Sequence, residues 1–139
     1  NYLGRVDWAR DGKTLYVQRL TRAQDRLDML AADPATGKTK LLFSERAAEG
    51  HWINLTDNYR WLKDGSLVWW SERDGHGHLY RWRKGRWTQL TKGAWQVSEL
   101  DGVDEDAGRI FFDGFKDGRL AQPKSLIRLA RQTVPRLLT

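Results

Sequence analysis

"YRWLKDGSLVWWSERDGHGHLYRWRKGRWTQLT", residues 59–91, holds short apolar stretches separated by turn signals. Asp64-Gly65, Asp74-Gly75 and Lys84-Gly85 are the punctuation, and each glycine can take the positive φ that a tight turn requires. Leu67-Val68-Trp69-Trp70 is apolar throughout, as expected of a strand covered on both sides. The next stretch alternates: His78, Tyr80 and Trp82 fall on one strand face, Leu79, Arg81 and Arg83 on the other. Helical spacing is weak, so the segment is predicted to be a set of antiparallel strands.

The same grammar recurs on both sides. VDWARDGKTLYVQR and then RLDMLAADPATGKTKLLF precede it; DGVDEDAGRIFFDG and then SLIRLARQTVPRLLT follow. Each unit has a short strand, a turn ending in glycine and an apolar strand, then a longer loop, a third strand, a turn and a fourth strand. The turn glycines Gly12, Gly65 and Gly108 stand 53 and 43 residues apart. Four strands per roughly 40–50 residues is the period of a β-propeller blade. One blade cannot bury both its faces alone, so blades stack around an axis. The predicted fold is therefore all-β: one partial propeller domain over 1–139, with about three four-stranded antiparallel blades near 5–44, 58–91 and 97–139. Three blades do not normally close a ring. Together with the missing initiator methionine, this leads us to expect a piece of a longer protein, whose end sheets expose apolar faces and favour a homo-oligomer or other assembly.

Composition narrows the function. Hydrophobic residues make up 40% of the 139, which excludes a disordered chain. There is no cysteine, hence no disulfide, thiolate nucleophile or cysteine-ligated zinc. No apolar run approaches the roughly 20 residues that span a bilayer. The net charge of +6 is concentrated after residue 115, where six basic residues from Lys116 to Arg136 face Asp117 alone. They are dispersed, which suits solvated strand and turn positions; no nucleic-acid partner is expected. The eight tryptophans suit half-buried sheet surfaces. Sugar binding would instead need several exposed indoles along one groove.

His76 and His78 are the most conspicuous reactive pair. A His-x-His pair can hold zinc if a third ligand approaches, and His51, Glu72 and Asp74 are the candidates. Gly77 between them leaves the geometry loose, so the expectation is no metal and no cofactor. His78 is expected to pack and hydrogen-bond inside a blade, with His76 on its loop. None of Ser44, Ser66, Ser71, Ser98 and Ser125 lies in Gly-x-Ser-x-Gly, so there is no nucleophile elbow and no catalytic residue is assigned. Asp104-Glu105-Asp106 reads as a solvated hairpin. No phosphate-cradling glycine loop is present, and Asn54-Leu55-Thr56 matches the glycosylation sequon, a short pattern common by chance.

Two longer stretches carry a family likeness. Trp61-Leu62-Lys63-Asp64-Gly65 through Ser71-Glu72-Arg73 to His78-Leu79-Tyr80, with Leu90-Thr91-Lys92-Gly93 and Trp95-x-Val97, resembles the propeller domain of the dipeptidyl peptidase IV family, bacterial type, in the prolyl oligopeptidase superfamily. The likeness extends over nearly the whole chain and weakens from Gln122 to Thr139. It implies a serine exopeptidase that releases N-terminal dipeptides, preferentially after proline or alanine. In that family the triad sits in a C-terminal α/β-hydrolase domain, and the propeller limits access and captures the substrate amine with a paired-glutamate motif. No Glu-Glu pair occurs here; the resemblance places it upstream.

The loop "GHWINLTD", residues 50–57, resembles a family segment that lines the pocket for the peptide's N-terminal side. Trp52 matches best, with Asn54, Leu55 and Thr56 beside it; packing of Trp52 between blades is the competing expectation. The functional expectation is a non-catalytic propeller fragment that gates and positions a peptide substrate for the hydrolase domain, in a periplasmic or secreted protein. The alternative is a periplasmic propeller module for binding or interaction, without enzymatic activity.

Overall fold

A computed structural model describes residues 2–116 and 119–128. Within them the chain is all strand and turn. The strands are β1 (Tyr2–Trp8), β2 (Leu15–Leu20), β3 (Arg26–Ala32), β4 (Thr39–Arg46), β5 (Tyr59–Trp61), β6 (Leu67–Ser71), β7 (His78–Arg83), β8 (Arg86–Gln89), β9 (Gln96–Asp104), β10 (Arg109–Lys116) and β11 (Arg119–Arg128). They form three antiparallel meanders, β1-β2-β3-β4, β5-β6-β7-β8 and β9-β10-β11. These are blade-type sheets of a β-propeller, in the order the repeat predicted.

The turns form where the dipeptides demanded them. Lys84 (φ 49°) and Gly85 (φ 84°) are both left-handed, the two-residue type I′ geometry whose twist matches the strands it joins, here β7 and β8. Lys84 accepts that strain because a glycine alone cannot supply two positive φ values. Gly65, at φ 83°, closes the β5–β6 turn through its N–H to the Leu62 carbonyl.

The third sheet departs from the sequence reading in one respect. A longer loop was expected after its second strand. Instead only residues 117–118 separate β10 from β11, and the two strands pair from Arg109↔Arg128 out to Lys116↔Arg119. Proline within β11 is accommodated by an irregularity. Phe112 pairs Ser125 and Gly114 pairs Gln122, so Pro123 falls in the break of register, where no ladder N–H is needed. The fourth strand expected for this sheet, and most of the basic tail, lie outside the described residues.

The chain divides into two compact units. The first comprises Asn1–Asp57, Trp61–Ser66 and Arg83–Arg86. Its core is Leu20, Leu27, Met29, Leu30, Phe43, Trp61 and Leu62. Tyr16 stacks on Trp61 with ring centroids 3.6 Å apart and planes 8° from parallel. Burial, and then the neighbouring Asp11 charge, push the Tyr16 hydroxyl's pKa up. The cross-strand rows Val6–Val17–Leu30–Leu41 and Trp8–Leu15–Ala32 lie on one face of the sheet. Leu30 is buried on that face, while Val6, Trp8 and Leu41 at its edges are each more than half exposed.

The second unit holds Asn58–Arg60, Leu67–Trp82 and Trp87–Thr139. Leu67, Val68, Leu79, Val97 and Ile110 are fully buried in it, with Trp69, Tyr80 and Phe112 nearly so. The continuous apolar run of β6 is thus explained: it is covered on both faces.

Candidate functional site

The stretch from Ala47 to Asp57 crosses one end of the first sheet with no strand of its own. Four contacts fix it. Ala47 N–H donates to the Asp25 carbonyl (2.9 Å) and Ile53 N–H to the Gln24 carbonyl (2.6 Å). Leu55 lies so close to Gly4 that a Cβ there would stand 2.9 Å from its Cδ1. Asp57 pairs with Arg5 at 2.8 Å. The receiving turn is itself rigid. Gln24 is left-handed (φ 60°), and the Thr21 hydroxyl donates to the Asp25 carboxylate (2.6 Å) while accepting from the N–H groups of Asp25 and Arg26. That hydroxyl bond, above all, holds the Asp25 carboxyl below its ordinary range.

Under this turn, Asp28 is 3% exposed and ties the strands together. It accepts from Ser44 Oγ (2.6 Å) and Arg19 Nη2 (2.9 Å), and Arg26 approaches at 3.3 Å. Burial pushes the Asp28 carboxyl up, but the Ser44 hydroxyl and the two guanidiniums outweigh it and hold it below the usual carboxylate range.

The backbone of the loop is therefore held while parts of it face outward. Trp52 is 62% exposed among the described residues, and the residues that seat the loop are Ile53, Leu55 and Asp57. Asn54 is exposed and Leu55 is half-buried against Gly4. Sequence alone did not reveal this division of labour, since Gly4 and Gln24, which receive the loop, are more than twenty residues away.

The histidine pair is used differently. His78 is fully buried, His76 exposed. His78 Nε2 lies 3.0 Å from the Gly93 carbonyl, which can only accept, so Nε2 carries the proton. Nδ1 then accepts from the Thr91 hydroxyl (2.8 Å), whose oxygen accepts from Leu79 N–H (2.9 Å). Both ring nitrogens are spent on joining the segment after β8 to β7. Trp95 stands edge-on to it at 4.9 Å. Gly77 is required beside it: a Cβ there would stand 2.3 Å from the Trp70 ring, whose Nε1 donates to the Val97 carbonyl. Asp74 tightens the same corner by accepting from Gln89 Nε2 (2.7 Å). Burial raises its pKa, but that bond, the His76 N–H and the two histidines outweigh the burial and lower it.

Other polar groups are similarly committed. Ser44 serves Asp28, Ser66 Oγ bonds Asp64 (2.5 Å) and Ser98 Oγ donates to the Asp113 carbonyl. Arg73 lies over both Tyr80 (4.4 Å) and Trp87 (4.0 Å), a cation–π contact the sequence reading missed. It also missed the grouping of Glu99, Asp101 and Asp113, whose carboxylate oxygens lie within 4.8 Å of one another. The signal was present: Glu99 and Asp101 share a strand face, and Asp113 pairs with Glu99. Among the tryptophans only Trp8 and Trp52 are strongly exposed, which leaves no row of indoles for a sugar.

Known proteins resemble this chain throughout. The family model of the dipeptidyl peptidase IV (DPP IV) N-terminal region matches residues 1–138. A probable dipeptidyl peptidase 4 of Aspergillus flavus is 25% identical over 79% of this chain and 15% of its own length. That of Emericella nidulans is 24% identical over 79% of this chain and 16% of its length. The solved structure of Porphyromonas gingivalis dipeptidyl peptidase 4 superimposes with a TM-score of 0.73 and 24% identity, covering 81% of this chain and 16% of that one. The chain thus spans about a sixth of the length of the relatives it matches.

Proposed function

This chain belongs to the family of dipeptidyl peptidase IV N-terminal regions, and from that premise we propose that it is a non-catalytic propeller segment of a serine exopeptidase. Its task is to gate and position a peptide for a separate C-terminal α/β-hydrolase domain, which carries the serine, aspartate and histidine of the reaction. The substrate is the free N-terminal end of a peptide, and the setting is the periplasm or the cell exterior.

The observation that supports this reading is the outward presentation of Trp52 and Asn54 on a loop whose backbone is held at Asp25, Gln24, Gly4 and Arg5. A fixed indole offers a flat apolar surface to a proline ring at little entropic cost. An exposed carboxamide beside it offers both donor and acceptor to a peptide backbone. Leu55 contributes by seating the loop.

The test uses the natural gene product that contains this chain. Its sequence beyond Thr139 should include Gly-x-Ser-x-Gly, and it should hydrolyse an Ala-Pro chromogenic substrate and lose that activity to a serine-reactive inhibitor. The 139-residue chain by itself should show no turnover. Turnover by the chain alone, or a gene product with only further blades, contradicts the proposal.

The second reading, an interaction module without enzymatic activity, is favoured by the open apolar face around Val6, Trp8 and Leu41. It expects the isolated chain to self-associate. A single monomeric species in sedimentation at high concentration counts against it.

A further inference from the structure

Gln18, in β2, is 2% exposed, and its Nε2 meets no acceptor among the described residues. It lies in the cross-strand row Arg5–Gln18–Met29–Phe43, whose side chains share one face of the sheet. Met29 and Phe43 are buried and apolar, so Arg5 is the polar neighbour in the row. Arg5 cannot serve Gln18 Nε2. A guanidinium only donates, and Arg5 Nε is itself buried without an acceptor. An unpaired donor in such a place destabilises the fold, whereas an apolar side chain of the same shape does not. The carboxamide therefore calls for a reason.

The end of the Trp52 loop is fastened to the same row. Asp57 reaches Arg5 Nη1 (2.8 Å), and Leu55 packs on Gly4, the residue before Arg5, so closely that a Cβ there would stand 2.9 Å from its Cδ1. The anchors at Ile53 and Asp57 flank Leu55, but the Leu55 carbonyl bonds no described residue. A carbonyl without a donor and two donors without an acceptor thus belong to segments already in contact.

We propose that Gln18 is a positioning residue for the Trp52 loop: when a peptide binds, the loop settles toward β1 between its anchors and the Leu55 carbonyl accepts from Gln18 Nε2. A ligand moves a segment only by bonding better to one of its positions than to the other. In the settled position the peptide meets the indole and the buried donor gains its partner at the same moment. The destabilisation carried by the free protein is relieved in the bound one, and substrate binding tightens by the difference. Gln18 does not touch the peptide; it acts through Leu55 on the indole earlier in the loop. The inference rests on the proposed role of Trp52.

Thermal unfolding and steady-state kinetics of the full gene product test this with Gln18→Met, which keeps the shape and removes the N–H. Without substrate, Gln18→Met should raise Tm by about 1–3 °C, because methionine leaves no donor unpaired in the row. On an Ala-Pro chromogenic substrate it should raise KM about three- to fivefold with kcat little changed. A glutamine that only supports the fold, or that holds a buried water, gives the opposite pattern: a lower Tm and the parent's KM. Gln18→Glu, which offers Arg5 Nε an acceptor but has no N–H to donate at neutral pH, should raise KM alike. The double variant Gln18→Met/Trp52→Ala should show the KM of Trp52→Ala alone, since both changes act through one loop. A lowered Tm or an unchanged KM in Gln18→Met, or additive effects in the double variant, overturns the role. If Trp52→Ala raises KM and Gln18→Met does not, this inference fails and the reading of Trp52 stands; an unchanged KM in Trp52→Ala removes both.

Discussion

The loop before His78, residues 72–77, and the loop that carries Trp52, residues 47–57, have similar compositions: charged residues, a histidine, a glycine at positive φ. They use them in opposite directions. At the end of the first loop the His78 ring turns inward onto Thr91 and Gly93, and Gln89 ties Asp74 to the same corner, while Glu72 to His76 stay exposed. Around Trp52, the backbone and Leu55 do the fastening, which leaves an indole and a carboxamide outside. A residue type that is catalytic elsewhere is structural here, and the exposed residue is an indole. What decides is which atoms satisfy the backbone: where side chains must do it, none are left over for a ligand.

The largest expected effect breaks the sealed corner. His78→Ala deletes a fully buried ring, removes the ring's bonds to the Gly93 carbonyl and the Thr91 hydroxyl, and should cost about 2–4 kcal/mol of stability by denaturant unfolding. His76→Ala, two residues away and exposed, should cost less than about 0.5 kcal/mol. If the two variants unfold alike, the asymmetry assigned to the pair is wrong. Gly77→Ala should follow at about 1–3 kcal/mol, because the added Cβ forces Trp70 away from the Val97 carbonyl; the change should appear as an altered Trp70 indole resonance.

The other side of the comparison responds to acid. With its pKa lowered in the fold, Asp28 contributes stability that is fully present above its unfolded pKa of about 3.9 and is lost as pH falls through its lower folded value. Asp28→Asn should therefore cost about 1–3 kcal/mol near neutral pH and flatten the acid limb of a stability-versus-pH curve. An unchanged acid limb would show that Arg19 and Arg26 draw their stability from elsewhere. The smallest expected change in stability is for Trp52→Ala, within about 0.5 kcal/mol, since the exposed ring bears none of the loop's four fastenings.

Much of this was legible in the sequence for a simple reason. Hairpin signals are local, so Asp64-Gly65 and Lys84-Gly85 identified their turns and Leu67 to Trp70 its buried strand. His78 was also readable as a packed residue, because its place in an alternating strand with Tyr80 and Trp82 is a period-two pattern. The direct pairing of β10 with β11 was missed because the repeat placed a longer loop there, and register is a property of two strands together. The seating of the Trp52 loop was illegible for the same kind of reason. It follows from Gln24 and Gly4 taking the loop backbone, contacts between segments that are distant in the chain.

In the proposed function, Trp52 meets the substrate while the histidine corner is closed to it. The most direct measurement is the steady-state kinetics of the full gene product on an Ala-Pro chromogenic substrate, comparing Trp52→Ala with His76→Ala. The account expects Trp52→Ala to raise KM roughly three- to tenfold with kcat little changed, the signature of a lost binding contact, and His76→Ala to leave both constants alone. An unchanged KM in Trp52→Ala, or a larger effect at His76, would contradict it.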